Sequence, residues 1–302
     1  MYLSTDNHLE RGVSVAGSSP QPKVSVLITA YNAESYIRAS VDAALAQTYS
    51  NFEVIVVDDG SSDKTGDICS TVEDIRFRYF SRERLGRARA LNEGIAAADG
   101  EYIAINDADD LSFPCRLECS VNFARWHPDL AFLGTEYIRT SVFHEQIPAE
   151  ALSICREVAP NHGRWLSPAT VYRRSVFVNS TLLYPKSIWQ RVGGYDEHLP
   201  LSEDYDFQLR ALQYGKAVLL PCRTVFWYAN PESYFKQKSR REQVETIKFI
   251  RRRAHPLLNL PLWLRFYHPI WRVTSRCTHA FPQLLTVVNG IRTVRTKPRL
   301  MK

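Results

Sequence analysis

At 302 residues, 45% hydrophobic and 23% charged, the chain has the composition of a protein that folds unaided, as one large domain or as a domain of about 230 residues with an appendage. It holds no run of 18 uncharged apolar residues, which excludes an ordinary membrane-spanning helix. The net charge of +6 is split unevenly: residues 236–302 carry 16 Lys/Arg against Glu242 and Glu245, net +14, and residues 1–235 carry 22 basic against 30 acidic side chains, net −8.

The N-terminal stretch is polar, with Asp6, Glu10 and Arg11 where a signal peptide has its apolar core, and reads as a flexible leader over residues 1–22. Val24 to Thr29 is a β-branched apolar run suited to a strand buried on both faces of a parallel sheet. Residues 34–47 read as a helix with Ile37, Val41, Ala44 and Leu45 on one side, and Phe52 to Val57 as a second buried strand. Asp58-Asp59-Gly60-Ser61-Ser62 is a dense turn signal. A helix from Lys64, a weaker strand at 76–80, a helix at 86–98 and a strand at 102–105 follow. This alternation implies right-handed crossovers and helices on both faces of the sheet. Beyond Asp110 the pattern loosens: helices are expected at 113–126, 186–192 and 204–214, and strands at 130–137, 182–184 and 218–225. Past Ser239 come helical, apolar-aromatic segments studded with arginine. The six cysteines show no C-x-x-C spacing, which favours a reduced, cytoplasmic setting over a zinc site.

In open α/β sheets ligands bind beyond the carboxyl ends of the strands. Thr29 and Tyr31 end the first predicted strand, Asp58 and Asp59 the second, and Asp107, Asp109 and Asp110 the fourth. Two carboxylates one residue apart in an extended turn can face one hard divalent ion and clamp a diphosphate; the alternative is a solvated acidic turn.

The chain resembles the family-2 glycosyltransferases in Val24-Ser-Val-Leu-Ile-Thr-Ala-Tyr-Asn32, Val57-Asp-Asp-Gly-Ser-Ser-Asp63, Gly86-Arg-Ala-Arg-Ala-Leu-Asn-Glu-Gly94, Asp107-Ala-Asp-Asp110 and Gly193-Gly-Tyr-Asp-Glu197 followed by Glu203-Asp204. Five pieces in the family's order, from Val24 to about Tyr214, are specific where any one is weak. The resemblance implies an α/β, Rossmann-like GT-A fold with a mixed central sheet over residues 23–235, a nucleotide-binding half at 23–112 and an acceptor half at 113–235, followed by a basic helical extension at 236–302. It implies a non-processive, inverting enzyme of bacterial type that takes a sugar from a nucleotide-sugar donor, a UDP-sugar, to a glycan or lipid-linked acceptor. Thr29, Tyr31 and Asp59 are implied as nucleotide contacts, with Asp59 accepting from the base edge. Asp107 and Asp109 are implied as ligands of Mn²⁺ or Mg²⁺, Asp107 also contacting substrate, and Asp204 as the catalytic base beside a substrate-binding Glu203. Glu203 and Asp204 can equally cap the helix they open. Arg89 is implied near the donor's charged groups, or else as the ion-pair partner of Asp109 or Asp58.

The chain departs from the family at Trp227-Tyr-Ala-Asn230, where many relatives end a comparable run in histidine; Asn230 is the expected substitute as metal ligand. Gln237-Lys-Ser-Arg-Arg241 lacks the tryptophan of polymerising members. Trp165, Trp189 and Tyr195 can form a sugar-stacking wall or serve as core. The tail sets Arg251-Arg-Arg253 beside Trp263, Phe266, Tyr267 and Trp271, which suits attachment to the anionic inner face of a membrane, a helical subdomain packed on the catalytic body, or a dimer contact. No recognition fold accompanies this charge, so nucleic acid is not an expected partner. Rival readings are a catalytically inactive nucleotide-sugar-binding scaffold and a nucleotidyltransferase; Thr29-Ala-Tyr-Asn32 stands where the latter would carry a glycine-rich phosphate loop.

Overall fold

A computed structural model of the protein describes residues 21–148 and 162–266. Strands Val24–Ala30 (β1), Phe52–Asp58 (β2), Phe77–Ser81 (β3) and Tyr102–Asp107 (β4) run parallel in the order β3-β2-β1-β4. β1 and β2 are buried along nearly their whole length, which is why they read as continuous apolar runs. Helices Ile37–Leu45 (α1), Thr65–Ser70 (α2) and Arg87–Ala97 (α3) complete this half. Alternation along β1 divides the core: Leu27 packs with Leu91 and Ile95 of α3, while Val26 and Ile28 pack with Ile37, Val41 and Ala44 of α1. Gly94 allows α3 its close approach, because a Cβ there would lie 2.3 Å from Leu27 Cδ1.

The second half extends the sheet into a mixed one, as expected. It comprises Leu111–Ser112 (β5), Arg116–Ala124 (α4), Leu130–Thr140 (β6), Arg164–Leu166 (β7), Pro168–Arg173 (α5), Leu183–Pro185 (β8), Lys186–Val192 (α6), Glu203–Ala211 (α7) and Lys216–Tyr228 (β9). The order continues β4-β8-β6-β9-β5, with β8 antiparallel to β4 and β6, β9 parallel to β6, and β5 and β7 antiparallel to β9. β5, β7 and α5 were not expected; at two to six residues they are too short for a periodic signal.

Tyr234–Gln237 (α8) leads into Arg240–Leu257 (α9), which opens on a capping box between Ser239 and Glu242. Ile247, Ile250 and Ala254 of α9, with Leu264 beyond it, enter the same core as Tyr205 and Leu209 of α7. Residues 240–264 therefore share the core of the preceding domain. The apolar i, i+3, i+7 stripe of α9 is hidden in the sequence among lysines and arginines. The expected leader and the aromatic-basic stretch from Tyr267 lie outside the described residues, apart from Gln21 and Pro22. Among the described residues no helix is long and apolar enough to cross a membrane. Cys69, Cys119 and Cys222 are buried, whereas Cys115 is disulfide-bonded, a departure from the expectation of a reduced setting.

Candidate active site

Register builds the site. Thr29 of β1 pairs with Asp107 of β4, and Ala30 pairs with Asp58 of β2, so three strands end level and deliver their polar residues to one edge. The strand order turns outward here, with β2 on one flank of β1 and β4 on the other, which is the crevice position of an open α/β sheet. The Asp58-Asp59 turn is tied down from within. Asp58 accepts from Ser61 N at 2.9 Å and from the Tyr79 hydroxyl at 2.9 Å. Asp59, expected to meet a base edge, accepts from the backbone N–H groups of Leu85, at 2.7 Å, and Gly86. It thereby fixes the loop that leads into α3. Tyr31 is 39% exposed, with the Arg84 guanidinium 3.8 Å over its ring and Arg84 Nη1 donating to its hydroxyl at 2.6 Å.

The arginine of the site is Arg87. Its Nη2 pairs with Asp107 Oδ1, its Nη1 with Glu203 Oε1 at 2.9 Å, and its Nε lies 3.4 Å from Thr29 Oγ1. It therefore joins β1, β4 and α7. Burial works against its charge, but Asp107, Glu203 and Asp204 outweigh that and hold the guanidinium firmly protonated. Arg89 is placed elsewhere: it is exposed and pairs with Glu93 one turn along, at 3.3 Å, not with Asp109 or Asp58. Two residues turn a helix by about 200°, so both arginines of Gly86-Arg-Ala-Arg89 cannot face the sheet.

Asp107, Asp109 and Asp110 crowd one turn. Asn179 Nδ2 donates to Asp107 Oδ1 at 3.1 Å. Asp110, 1% exposed, is held by the Ser180 hydroxyl and by Tyr228 N at 2.8 Å, and burial followed by Asp107 and Asp109 pushes its pKa well up. Burial and then Asp107 also raise Asp109, opposed by a hydrogen bond from Asn230 Nδ2 at 3.0 Å. Asn230 thus orients Asp109, and its other end, Oδ1, accepts from Glu232 N at 2.9 Å. Beneath the turn, Arg116, 1% exposed, donates to Asn106 Oδ1, Ser112 Oγ and the carbonyls of Ile105 and Leu182. Burial lowers its pKa to about 10, against the pull of Asp110 and Asp107.

Among the described residues no group of three or more His, Cys, Asp or Glu side chains is arranged to hold a metal alone. The donors present are the hard oxygens of Asp107 and Asp109, whose mutual repulsion a cation would relieve. That set fits Mg²⁺ or Mn²⁺ bound through one or two carboxylates, with phosphates and water completing the shell.

Glu203 and Asp204 open α7 directly after Ser202, whose backbone is left-handed at φ 61° and whose side chain makes no cap hydrogen bond. Glu203 is 6% exposed and spoken for by Arg87. Asp204 is half-buried, and burial followed by the Glu203 charge pushes it up to about 6, against the pull of Arg87. A carboxyl poised near neutrality and backed by an ion pair is equipped to accept a proton.

Two further sequence expectations resolve structurally. Asn92 staples α3 to the loop after α6: it donates to Tyr195 O and Glu197 and accepts from Trp189 Nε1 and Tyr195 N. The three candidate stacking aromatics do not share a wall. Tyr195 is buried against Phe207 at 4.6 Å, Trp189 meets Asn92, and Trp165 packs on Phe123 and His127.

The family model described as Glycosyl transferase family 2 matches residues 25–189. An uncharacterized glycosyltransferase of Rickettsia typhi is 34% identical over 196 residues, 64% of this chain and 59% of the relative. Glycosyltransferase GlyG of Streptococcus pneumoniae is 45% identical over 91 residues, 29% of this chain and 30% of the relative. The chain thus spans less than two thirds of the length of these relatives. Among solved structures, S. aureus TarS 1-349 in complex with UDP-GlcNAc superposes with a TM-score of 0.61 at 20% identity, covering 78% of this chain and 70% of that one. The mannosyltransferase PcManGT from Pyrobaculum calidifontis, in complex with GDP-Man and Mn²⁺, superposes at 0.59 with 19% identity, covering 82% and 70%. A family match over more than half of the chain, on a GT-A fold shared with solved transferases, makes this protein a member of glycosyl transferase family 2.

Proposed function

We propose that the protein transfers a sugar from a nucleoside diphosphate sugar, a UDP-sugar, to an acceptor hydroxyl, with inversion at the anomeric carbon. The observation that carries the reading is the Arg87 bridge, which ties Asp107 at the end of β4 to Glu203 beside Asp204. In this reading Thr29, Tyr31 and Asp59 bound the nucleoside end, and Asp59 keeps acceptor capacity beyond its two backbone donors. Asp107 and Asp109 would hold a divalent cation, which would supply positive charge against the departing diphosphate. Glu203 pairs with Arg87 at the donor sugar. Asp204 takes the proton of the acceptor hydroxyl as its oxygen bonds to the anomeric carbon and the bond from that carbon to the diphosphate oxygen breaks; a single displacement inverts the centre. TarS, solved with UDP-GlcNAc, supports a UDP-sugar donor, and the Mn²⁺ complex of PcManGT supports a metal.

Asp204→Asn should bind UDP with near wild-type affinity and lose about 10²–10⁴-fold in turnover. Turnover close to wild type would remove Asp204 from the role of base.

The same reading places the enzyme on the cytoplasmic face of a membrane, working on a lipid-linked or glycan acceptor in polysaccharide or glycolipid synthesis. Its support is the surface after α9, where Leu262 and Trp263 are 74% and 61% exposed, in a segment of net +14. Full-length protein should sediment with phosphatidylglycerol vesicles and not with neutral ones, and the L262S/W263S variant should sediment less. Equal recovery in the supernatant under all conditions refutes attachment.

A further inference from the structure

Helix α9 reaches the two residues that follow Asp204 in the chain. Tyr205, 1% exposed, donates its hydroxyl proton to the Tyr172 carbonyl and accepts from Arg251 Nε at 3.1 Å. Arg251 Nη2 also donates to the Arg173 carbonyl at 2.6 Å. Asp206, equally buried, is held by Arg210 from its own helix at 2.7 Å and by Arg253 Nη2 from α9. The second arm of Arg253, Nη1, pairs with Asp196 in the loop between α6 and α7. One guanidinium thus spans the loop and the first turn of α7.

We infer that Arg253, assisted by Arg251, is a positioning residue for the transfer reaction: α9 holds the first turn of α7 and so sets where the Asp204 carboxylate meets the acceptor. This rests on Asp204 being the base proposed above.

The start of α7 calls for such a brace. Ser202 makes no side-chain cap and sits in the left-handed region, so the helix lacks the anchor that normally fixes its first turn. That turn also carries Glu203, Asp204 and Asp206, three like charges in four residues. Arg210 and Arg253 answer Asp206, and Arg87 answers Glu203, which leaves Asp204 as the acid of the turn with no arginine hydrogen bond among the described residues. Burial opposes the charge on Arg253, but Asp196 and Asp206 override it and keep it protonated. A planar fork that binds two carboxylates at once fixes their relative position, which a lysine's single ammonium does less well. Because Tyr205 adjoins Asp204 and Asp206 follows in the same turn, loosening them moves the Asp204 backbone itself. A displacement of 1 Å at a reacting group can cost about 10²-fold in rate.

The charged and titratable groups that act on Asp204 include Glu203 on its own helix, Arg87 on α3, Asp107 on β4 and Tyr195 in the preceding loop. A shift of α7 changes its distance to the last three, so the pH of half-maximal turnover should move together with kcat. Arg253→Met keeps most of the side chain's volume and removes the fork. Measured per folded enzyme, with folding checked by circular dichroism, its kcat should fall about 10–10²-fold while the donor KM stays within about two-fold. Its pH midpoint should shift, and Arg253→Lys should recover part of kcat. A purely structural role lowers the folded fraction and leaves kcat per folded molecule and the pH midpoint unchanged. If folded Arg253→Met shows wild-type kcat and midpoint while Asp204→Asn is inactive, the brace is refuted and the base stands. An active Asp204→Asn removes the base itself. Should Arg253→Met fail to fold, Arg253→Lys decides alone: a reduced kcat at unchanged donor KM supports the brace, and wild-type values overturn it.

Discussion

Exchanging Asp204 for asparagine removes a charge that the folded protein holds against a gradient. Its carboxyl titrates at about 6, raised by burial and by Glu203, whereas an aspartate in an unfolded chain titrates near 3.9. A group whose pKa rises on folding contributes stability that is full below its unfolded value and is lost as pH rises through its folded value. Between pH 4 and pH 8 two units at about 1.4 kcal/mol each set an upper bound near 3 kcal/mol. The carboxylate's partial exposure reduces this to about 1–3 kcal/mol. At about 2–4 °C per kcal/mol for a domain of this size, Asp204→Asn should melt roughly 2–12 °C above the wild type at pH 8. Near pH 4 both side chains are neutral and the advantage should vanish. The assay is thermal unfolding of both proteins from pH 4 to 8, in EDTA and without nucleotide, so that no ligand stabilises either. A melting difference that does not change with pH, or an asparagine variant that melts lower at pH 8, refutes the reasoning. A variant more stable and less active than its parent is what a functional group held in an unfavourable setting implies.

Two further outcomes test the donor side. Asp109→Ala should stay folded, lose Mn²⁺-dependent UDP binding by isothermal titration and abolish transfer; metal-dependent binding that survives would move the cation elsewhere. Arg87→Ala should lower kcat/KM by at least about 10²-fold, the scale of removing a preorganised electrostatic contact, whereas Arg89→Ala should stay within about two-fold. Equal losses in the two variants would contradict the orientation of α3.

The first half of the fold was legible because β1 and β2 are buried on both faces and announce themselves as apolar runs. Their carboxyl ends carried Thr29, Asp58 and Asp107 in plain view, since parallel pairing brings strand ends level without long-range information. Arg87 was legible in principle. Its helical phase with Leu91, Gly94 and Ile95, all buried, marks it as facing the sheet, and Arg89 shares the outer phase with Glu93. Asn179 and Ser180 were not, because they reach Asp107 and Asp110 from some 70 residues away through a short turn with no periodic signal. The inward face of α9 was hidden for a different reason. Arginines normally mark a solvated face, yet Arg251 is 5% exposed and both it and Arg253 point inward to partners that only the tertiary fold supplies.

The placement of α9 also bears on how the protein is made. Arg253 lies 47 residues beyond Asp206 and 57 beyond Asp196. At about 5–20 residues per second, a ribosome completes the sheet, which ends at Tyr228, about 1–5 s before it delivers Arg253. During that interval Asp196 waits without Arg253, Asp206 has Arg210 alone, and the side of α7 that will meet Ile250 and Ala254 is bare. A nascent chain can therefore assemble the β1–β4 edge early, while the turn bearing Asp204 is secured by a helix that arrives after the sheet is made.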